Sequence, residues 1–342
     1  MHKPGEKWRG VDALQNLKEN GLEWVRVGVL TTSSQDLRDT PVSEWNTHPW
    51  RNEYLYSLEY AEQLLREAAN KGLRLNLVFS LSDMITHGAL SAWRGLSLTE
   101  TARILEDYTY NTTRHFADRG LNIELYDIGS EIGFGLLQFK LGEGVTSPPG
   151  VSVTTNMDYM KNNVWSKEAI LLKSAVSGVR RANPDAKIVL PIFGLGISPG
   201  DVFIKSFFQT MVDQDVQFDY AGLLHPYPSA TWPLPDYSAR GWFQRLQATV
   251  NFLASLDKKV IFSFTAYPHN ATNIEGEPME DFPFTPTGQA AWVRDQLLFA
   301  SNNDNVIGFF YLYALDHPSS GLFQSANQVM PAMKEFRVNL PP

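Results

Sequence analysis

Residues 54–80, YLYSLEYAEQLLREAANKGLRLNLVFS, hold one complete helix-to-strand unit whose logic the rest of the chain repeats. From Tyr54 to Lys71 the apolar positions Leu55, Leu58, Ala61, Leu64, Leu65 and Ala68 recur at three- and four-residue intervals, which puts them on one helix face. Gly72 stands where a glycine closes a helix. Leu75-Asn76-Leu77-Val78-Phe79-Ser80 then reads as a short buried strand. Toward the amino terminus, Trp24 to Leu30 is another such strand, after a helix carrying Leu14, Leu17 and Leu22 with Asp12 as its cap. Toward the carboxyl terminus, Ser97-Leu98-Thr99-Glu100 is a capping box, opening a helix that ends at Gly120. Ile123 to Gly129 follows as a strand, then a helix ending near Arg181-Ala182-Asn183-Pro184. Further strands are expected at Lys187 to Pro191, Tyr220 to His225, Lys259 to Phe264 and Val306 to Leu312. Helices around 201–213, 238–256 and 287–303 separate them.

Alternating strands and helices imply βαβ units, hence an α/β protein with a parallel sheet buried on both faces. Seven strands are plain, and Lys7-Trp8-Arg9-Gly10-Val11 supplies an eighth, with a shortened first β/α unit. Eight units over 342 residues point to a (β/α)8 TIM barrel, a single domain over 1–342. An open dinucleotide-binding sheet is disfavoured because no strand runs into a GxGxxG turn.

Composition narrows the function. The net charge is −8 and no block of five cations occurs, so neither nucleic acid nor an anionic membrane is an expected partner. No run approaches the roughly 18 apolar residues of a membrane span. The first residues lack the apolar stretch of a signal peptide. With no cysteine and seven scattered histidines, neither a metal nor another cofactor is expected. Nine Trp and thirteen Tyr, many in apparent loops, suit stacking on sugar rings.

A barrel of this kind keeps its active site at the carboxyl ends of its strands. That rule selects Arg26, Ser80 to Asp83, Ser130-Glu131, Phe193, His225 to Tyr227, Phe264 to Tyr267, and Tyr311 to Asp316. Glu131 follows Tyr126-Asp127-Ile128-Gly129 directly and precedes the apolar run Ile132 to Leu137. Partial burial there raises a carboxyl pKa, as a general acid requires. Arg26 points into the barrel mouth or forms a structural ion pair. Trp93 and Trp232 are candidate sugar platforms, His225 and Tyr227 candidate hydroxyl partners, and Tyr267 a sugar contact or a brace for Glu131. Asn111-Thr112-Thr113 and Asn270-Ala271-Thr272 have the glycosylation pattern, a weak signal without a host.

Asp127-Ile128-Gly129-Ser130-Glu131-Ile132-Gly133-Phe134-Gly135-Leu136-Leu137 resembles the fourth-strand motif of glycoside hydrolase family 53, the endo-β-1,4-galactanases of clan A. That motif has a Val-Gly-Asn-Glu-Ile core followed by Gly-Met-Leu. Four more stretches match in order along nearly the whole chain. They are Leu17 to Gly21 leading into Val25-Arg26-Val27, then Ser82-Asp83 with Ala92-Trp93. Phe218 to Leu223 with Pro226-Tyr227-Pro228, and Thr265-Ala266-Tyr267-Pro268, complete the set. The resemblance implies a glycosidase of galactose-containing polysaccharide, secreted from the cell, with Glu131 as acid/base.

The departures are as specific. The family's nucleophilic Glu immediately precedes Thr-Ala-Tyr-Pro, and here that residue is Phe264. The Asn that binds the sugar 2-hydroxyl is Ser130; the third-strand His is Ser80; the eighth-strand Trp-Glu pair is Leu312-Tyr313. Two carboxyls ordinarily flank a scissile glycosidic bond. Three readings follow. Another carboxylate supplies the missing half, Asp316 first, then Glu275, Glu277, Glu280 or Asp281. Alternatively the chain is a pseudoenzyme binding a polysaccharide or oligosaccharide through an aromatic cleft, with Arg26, Asp83, Trp93, Ser130, His225, Tyr227, Trp232, Phe264, Tyr267 and Tyr311 around it. Finally, it is an assembly protein reusing the barrel.

Overall fold

The computed structural model describes residues 12–29, 58–81, 95–137, 139–140, 155–193, 200–226, 238–272, 274, 278–312, 314, 319–325 and 328–337. The expected first strand at Lys7 to Val11 and the helical residues 54–57 lie outside that set. The main elements are α1 (Ala13–Glu19), β1 (Trp24–Val29), α2 (Leu58–Asn70), β2 (Arg74–Phe79), α3 (Leu98–Asp118), β3 (Ile123–Ile128), α4 (Ser166–Ala182) and β4 (Lys187–Phe193). They continue with α5 (Gly200–Asp213), β5 (Tyr220–Pro226), α6 (Ala239–Ser255), β6 (Lys259–Ala266), α7 (Pro286–Ser301), β7 (Val306–Tyr311) and α8 (Pro331–Glu335).

Among the described residues the seven main strands form one sheet in chain order. The β2–β3, β3–β4 and β6–β7 pairs are parallel, with Val78 opposite Asp127 and Asp127 opposite Val189. Chain-order parallel strands with a helix between each pair are the (β/α)8-barrel arrangement.

The sequence signals act where they stand. Asp12 caps α1 by accepting a hydrogen bond from the Gln15 amide at 3.0 Å. The capping box of α3 is complete: Ser97 Oγ accepts from the Glu100 amide, and Glu100 Oε2 accepts from the Ser97 amide at 2.9 Å. Each cap is worth about 1 kcal/mol.

Contacts divide the chain into two compact units. The first takes in the described residues of Val25–Phe193 and Val202–Gly222. Its core joins Leu77, Phe79, Leu105, Phe116, Leu172, Val176 and Ile188, all buried. Helices α3 and α4 cross at Gly178, where a Cβ would lie 2.2 Å from the Glu106 carbonyl oxygen. Only glycine permits that approach. The Asp219 carboxylate holds the start of β4, accepting from the Ile188 amide at 2.9 Å and from Arg180 at 3.1 Å.

The second unit takes in the described residues of Met1–Trp24, Gly194–Asp201 and Leu223–Pro342. Its core is aromatic. Trp242 and Trp292 lie 6.0 Å apart between ring centroids, and Tyr267 lies 5.1 Å from Trp292.

Candidate active site

In the first unit, three successive strands each carry a polar residue between apolar neighbours that meets the others: Arg26 on β1, Asn76 on β2 and Asp127 on β3. They meet. Arg26 Nε and Nη2 donate to Asp127 Oδ2 at 2.9 and 2.7 Å, and Asn76 Nδ2 donates to Asp127 Oδ1 at 2.9 Å. Asp127 is only 1% exposed. A carboxylate so buried costs several kcal/mol in lost hydration, which a guanidinium and an amide in good geometry offset.

Past Asp127 the chain turns sharply. Gly129 has φ +85°, and a Cβ there would fall 2.1 Å from Ile132 Cγ2. Glu131 follows with φ 59° and ψ 42°, in the left-handed region. For a residue with a side chain this conformation costs roughly 1–3 kcal/mol, and such strain gathers at functional sites. Surrounding structure holds it in place. Trp165 Nε1 donates to the Gly133 carbonyl at 2.9 Å, and Phe134 stacks on Phe203 at 5.0 Å. The Leu137 amide donates to the Leu81 carbonyl at 3.3 Å.

The Glu131 carboxyl therefore sits on a turn fixed from both sides. Burial pushes its pKa up, and the Arg26 charge opposes part of that rise. No ion pair or hydrogen bond joins it to another described residue. A carboxyl that keeps its proton above the ordinary range, without a hydrogen-bond partner among the described residues, can deliver that proton to a ligand oxygen. Ser130 beside it is buried at 9% exposure.

In the second unit, Phe264 lies half-buried on β6 between Ser263 and Thr265. Both of those hydroxyls are buried without a hydrogen-bond partner among the described residues. Tyr267 is fully buried, and its hydroxyl donates to the Phe282 carbonyl. The Tyr311 hydroxyl donates to the Ser320 carbonyl at 2.7 Å and accepts from Gln289 Nε2 at 3.0 Å. Burial drives the Tyr311 pKa up, so the phenol stays neutral. Gln289 Nε2 also reaches the carbonyls of Tyr267 at 2.9 Å and Ser320 at 3.0 Å. The Tyr267 hydroxyl thus closes the segment after β6 on itself, while Tyr311 and Gln289 clasp that segment to the one after β7.

The structure brings Glu131, Ser130 and Arg26 together and places Phe264, Tyr267 and Tyr311 at the ends of β6 and β7. His225 belongs to β5. Asp83, Trp93, Tyr227, Trp232, Asp316, Glu275 and Glu277 lie outside the described residues. Of the remaining reserve carboxylates, Glu280 is exposed, and Asp281 accepts from the Ala239 amide at 3.3 Å. Asp127, Asn76 and Gln289 were missed by sequence reasoning. Among the described residues, no group of His, Asp and Glu is placed to hold a metal ion, and no helix is long and apolar enough to cross a membrane.

A parallel strand that ends in a half-buried, strained glutamic acid, within a (β/α)8 scaffold, fits a barrel of the glycosidase class. Residues 5–333 match the model of glycosyl hydrolase family 53, and the chain belongs to that family of glycosidases. It is similar to an arabinogalactan endo-beta-1,4-galactanase of Humicola insolens, 26% identical over 86% of this chain and 78% of that one. An enzyme of the same name from Cellvibrio japonicus is 25% identical over 84% of this chain and 69% of its own. Among solved structures, one from a study of two fungal beta-1,4-galactanases superposes with a TM-score of 0.71 at 23% identity, over 94% of this chain and 90% of that chain. The Ignisphaera aggregans GH53 catalytic domain gives 0.71 at 22% identity, over 98% and 91%. These likenesses show the fold.

Proposed function

We propose that the chain is one catalytic barrel over 1–342 that cleaves β-1,4-galactan or a related galactose-containing polysaccharide, with Glu131 as general acid/base. The observation that carries this reading is the Glu131 carboxyl itself, half-buried, raised in pKa by loss of hydration and held on a strained turn at a strand end. The names of the relatives supply the substrate class. Arg26, Ser130 and Phe264 contribute to the sugar site, together with Asp83, Trp93, His225, Tyr227 and Trp232. Tyr267 and Tyr311 belong to the same proposal. The same reading places the protein outside the cell, where the polymer is met.

Phe264 stands where the family's nucleophile is expected, and a phenyl ring neither attacks an anomeric carbon nor carries a proton. The second carboxylate is assigned to Asp316 as a base that activates water. Acid–base separations of about 6.5–9.5 Å accompany inversion, against about 5–5.5 Å for retention. Phe264 also favours a second reading, in which the cleft binds glycan without cutting it.

Reducing-end release from galactan and arabinogalactan, with affinity for galacto-oligosaccharides measured alongside, separates the two. The enzyme reading predicts release that Glu131→Gln abolishes. Binding with no release, unchanged in that variant, refutes it in favour of the second.

A further inference from the structure

Among the described residues Arg26 is the charged group that acts on Glu131, yet no hydrogen bond or ion pair joins the two. Two of its three donor nitrogens, Nε and Nη2, go instead to Asp127 Oδ2. Asp127 is itself immobilised from the other side by Asn76, and all three sit on neighbouring strands. The polar groups joined on these strands are Arg26 from β1, Asn76 from β2 and Asp127 from β3. Of these only Arg26 is cationic.

A guanidinium in a low-dielectric site takes whichever carboxylate offers it a forked contact, and that carboxylate then stays ionised. Were Glu131 the one to receive it, Glu131 would become half of a salt bridge and a poor proton donor at neutral pH. Asp127 prevents this by occupying the fork. We infer that Asp127 is a positioning residue that holds the Arg26 guanidinium off Glu131 and so keeps that carboxyl able to carry its proton. This rests on Glu131 being the proton donor proposed above, but the geometry behind it can be tested without any turnover.

The experiment titrates the Glu131 carboxyl by 13C NMR in the full-length protein labelled at glutamate side chains, with the resonance assigned by its loss in Glu131→Gln. Four proteins are compared: the parent, Asp127→Asn, Arg26→Met and the double variant. Asp127→Asn keeps the shape and frees Arg26, so the Glu131 midpoint should fall by about one pH unit or more, the usual effect of an adjacent opposite charge. Arg26→Met should raise it. In the Arg26→Met background Asp127→Asn should lower the midpoint less than it does with Arg26 present, because only the direct repulsion between the two carboxylates is then lost.

A purely structural Asp127 would leave the midpoint in place or move it equally with and without Arg26, and either result overturns the inference. Should Asp127→Asn fail to fold, Asp127→Ser also frees Arg26, and a Glu131 midpoint that does not fall in that variant overturns the inference. Failure of the enzyme reading looks different: the midpoints move as stated, but the parent releases no reducing ends.

Discussion

Gly129→Ala tests whether the turn that presents Glu131 is as tightly specified as its geometry states. Two costs add. An alanine at φ +85° pays the left-handed penalty of an L residue, roughly 1–2 kcal/mol. Its Cβ would also sit 2.1 Å from Ile132 Cγ2, closer than contact by more than an ångström, and Ile132 is fully buried with no room to retreat. Overpacking of this kind costs about 1–3 kcal/mol. The sum, about 2–5 kcal/mol, is a large part of an ordinary folding free energy of roughly 5–15 kcal/mol. Urea unfolding followed by circular dichroism should show the midpoint falling at an unchanged slope. Combining it with Ile132→Ala isolates the overlap. The double variant should be more stable than the sum of the single losses predicts, by about 1–3 kcal/mol. A Gly129→Ala protein within about 0.5 kcal/mol of the parent, the range of a neutral surface change, would refute the reasoning.

Other consequences follow from the same contacts. Glu131 has its folded pKa raised above the ordinary 4.5, so the folded state binds the extra proton and loses stability as pH rises from about 4.5 through the raised value. Glu131→Gln removes that loss, and its thermal midpoint should exceed the parent's at pH 7 but not at pH 4; equal midpoints at both would contradict the burial. Gln289→Leu should take one donor each from the Tyr267 and Ser320 carbonyls and leave Tyr311 as the other, at roughly 0.5–1.5 kcal/mol for each hydrogen bond lost. Proteolysis should then strike the segments after β6 and β7 first, and unchanged resistance would count against the clasp. Gly178→Ala should push α3 from α4, lowering stability by about 1–3 kcal/mol or more without altering the pH dependence of activity. Calorimetry and a pH–rate profile check the two halves.

The sequence carried the scaffold because its signals are local. The helix face of 58–70, the Asp12 cap and the Ser97–Glu100 box each act within one turn of chain, and all three stand where expected. Strand ends needed only the alternation of elements, which is why Glu131 could be picked out. Its left-handed backbone could not, since glycine stands at 129 and 133 but not at 131. The strained turn is imposed by tertiary contacts, Trp165 on Gly133 among them, and those partners lie over thirty residues apart.

Arg26 was weighed as either mouth residue or ion pair, and its partner was missed for a plain reason. A lone polar residue inside an apolar strand says that something must satisfy it, but not what. Read together, Arg26, Asn76 and Asp127, one on each of three successive strands, held the signal. Tyr267 and Tyr311 show the reverse. An aromatic after a strand suits a sugar platform, yet its hydroxyl serves a buried carbonyl equally well, and only Gln289 on α7 reveals that use.

The central claim is that Glu131 delivers a proton to a departing sugar oxygen. Aryl β-1,4-galactobiosides of differing leaving-group acidity test it directly, because a good leaving group departs without protonation and a poor one does not. Steady-state rates of the parent and of Glu131→Gln on both kinds of substrate are the measurement. The account predicts a loss of roughly 10²–10⁴-fold in the variant on the poor leaving group and little loss on the good one. Equal losses on both, or no loss on the poor one, would contradict it.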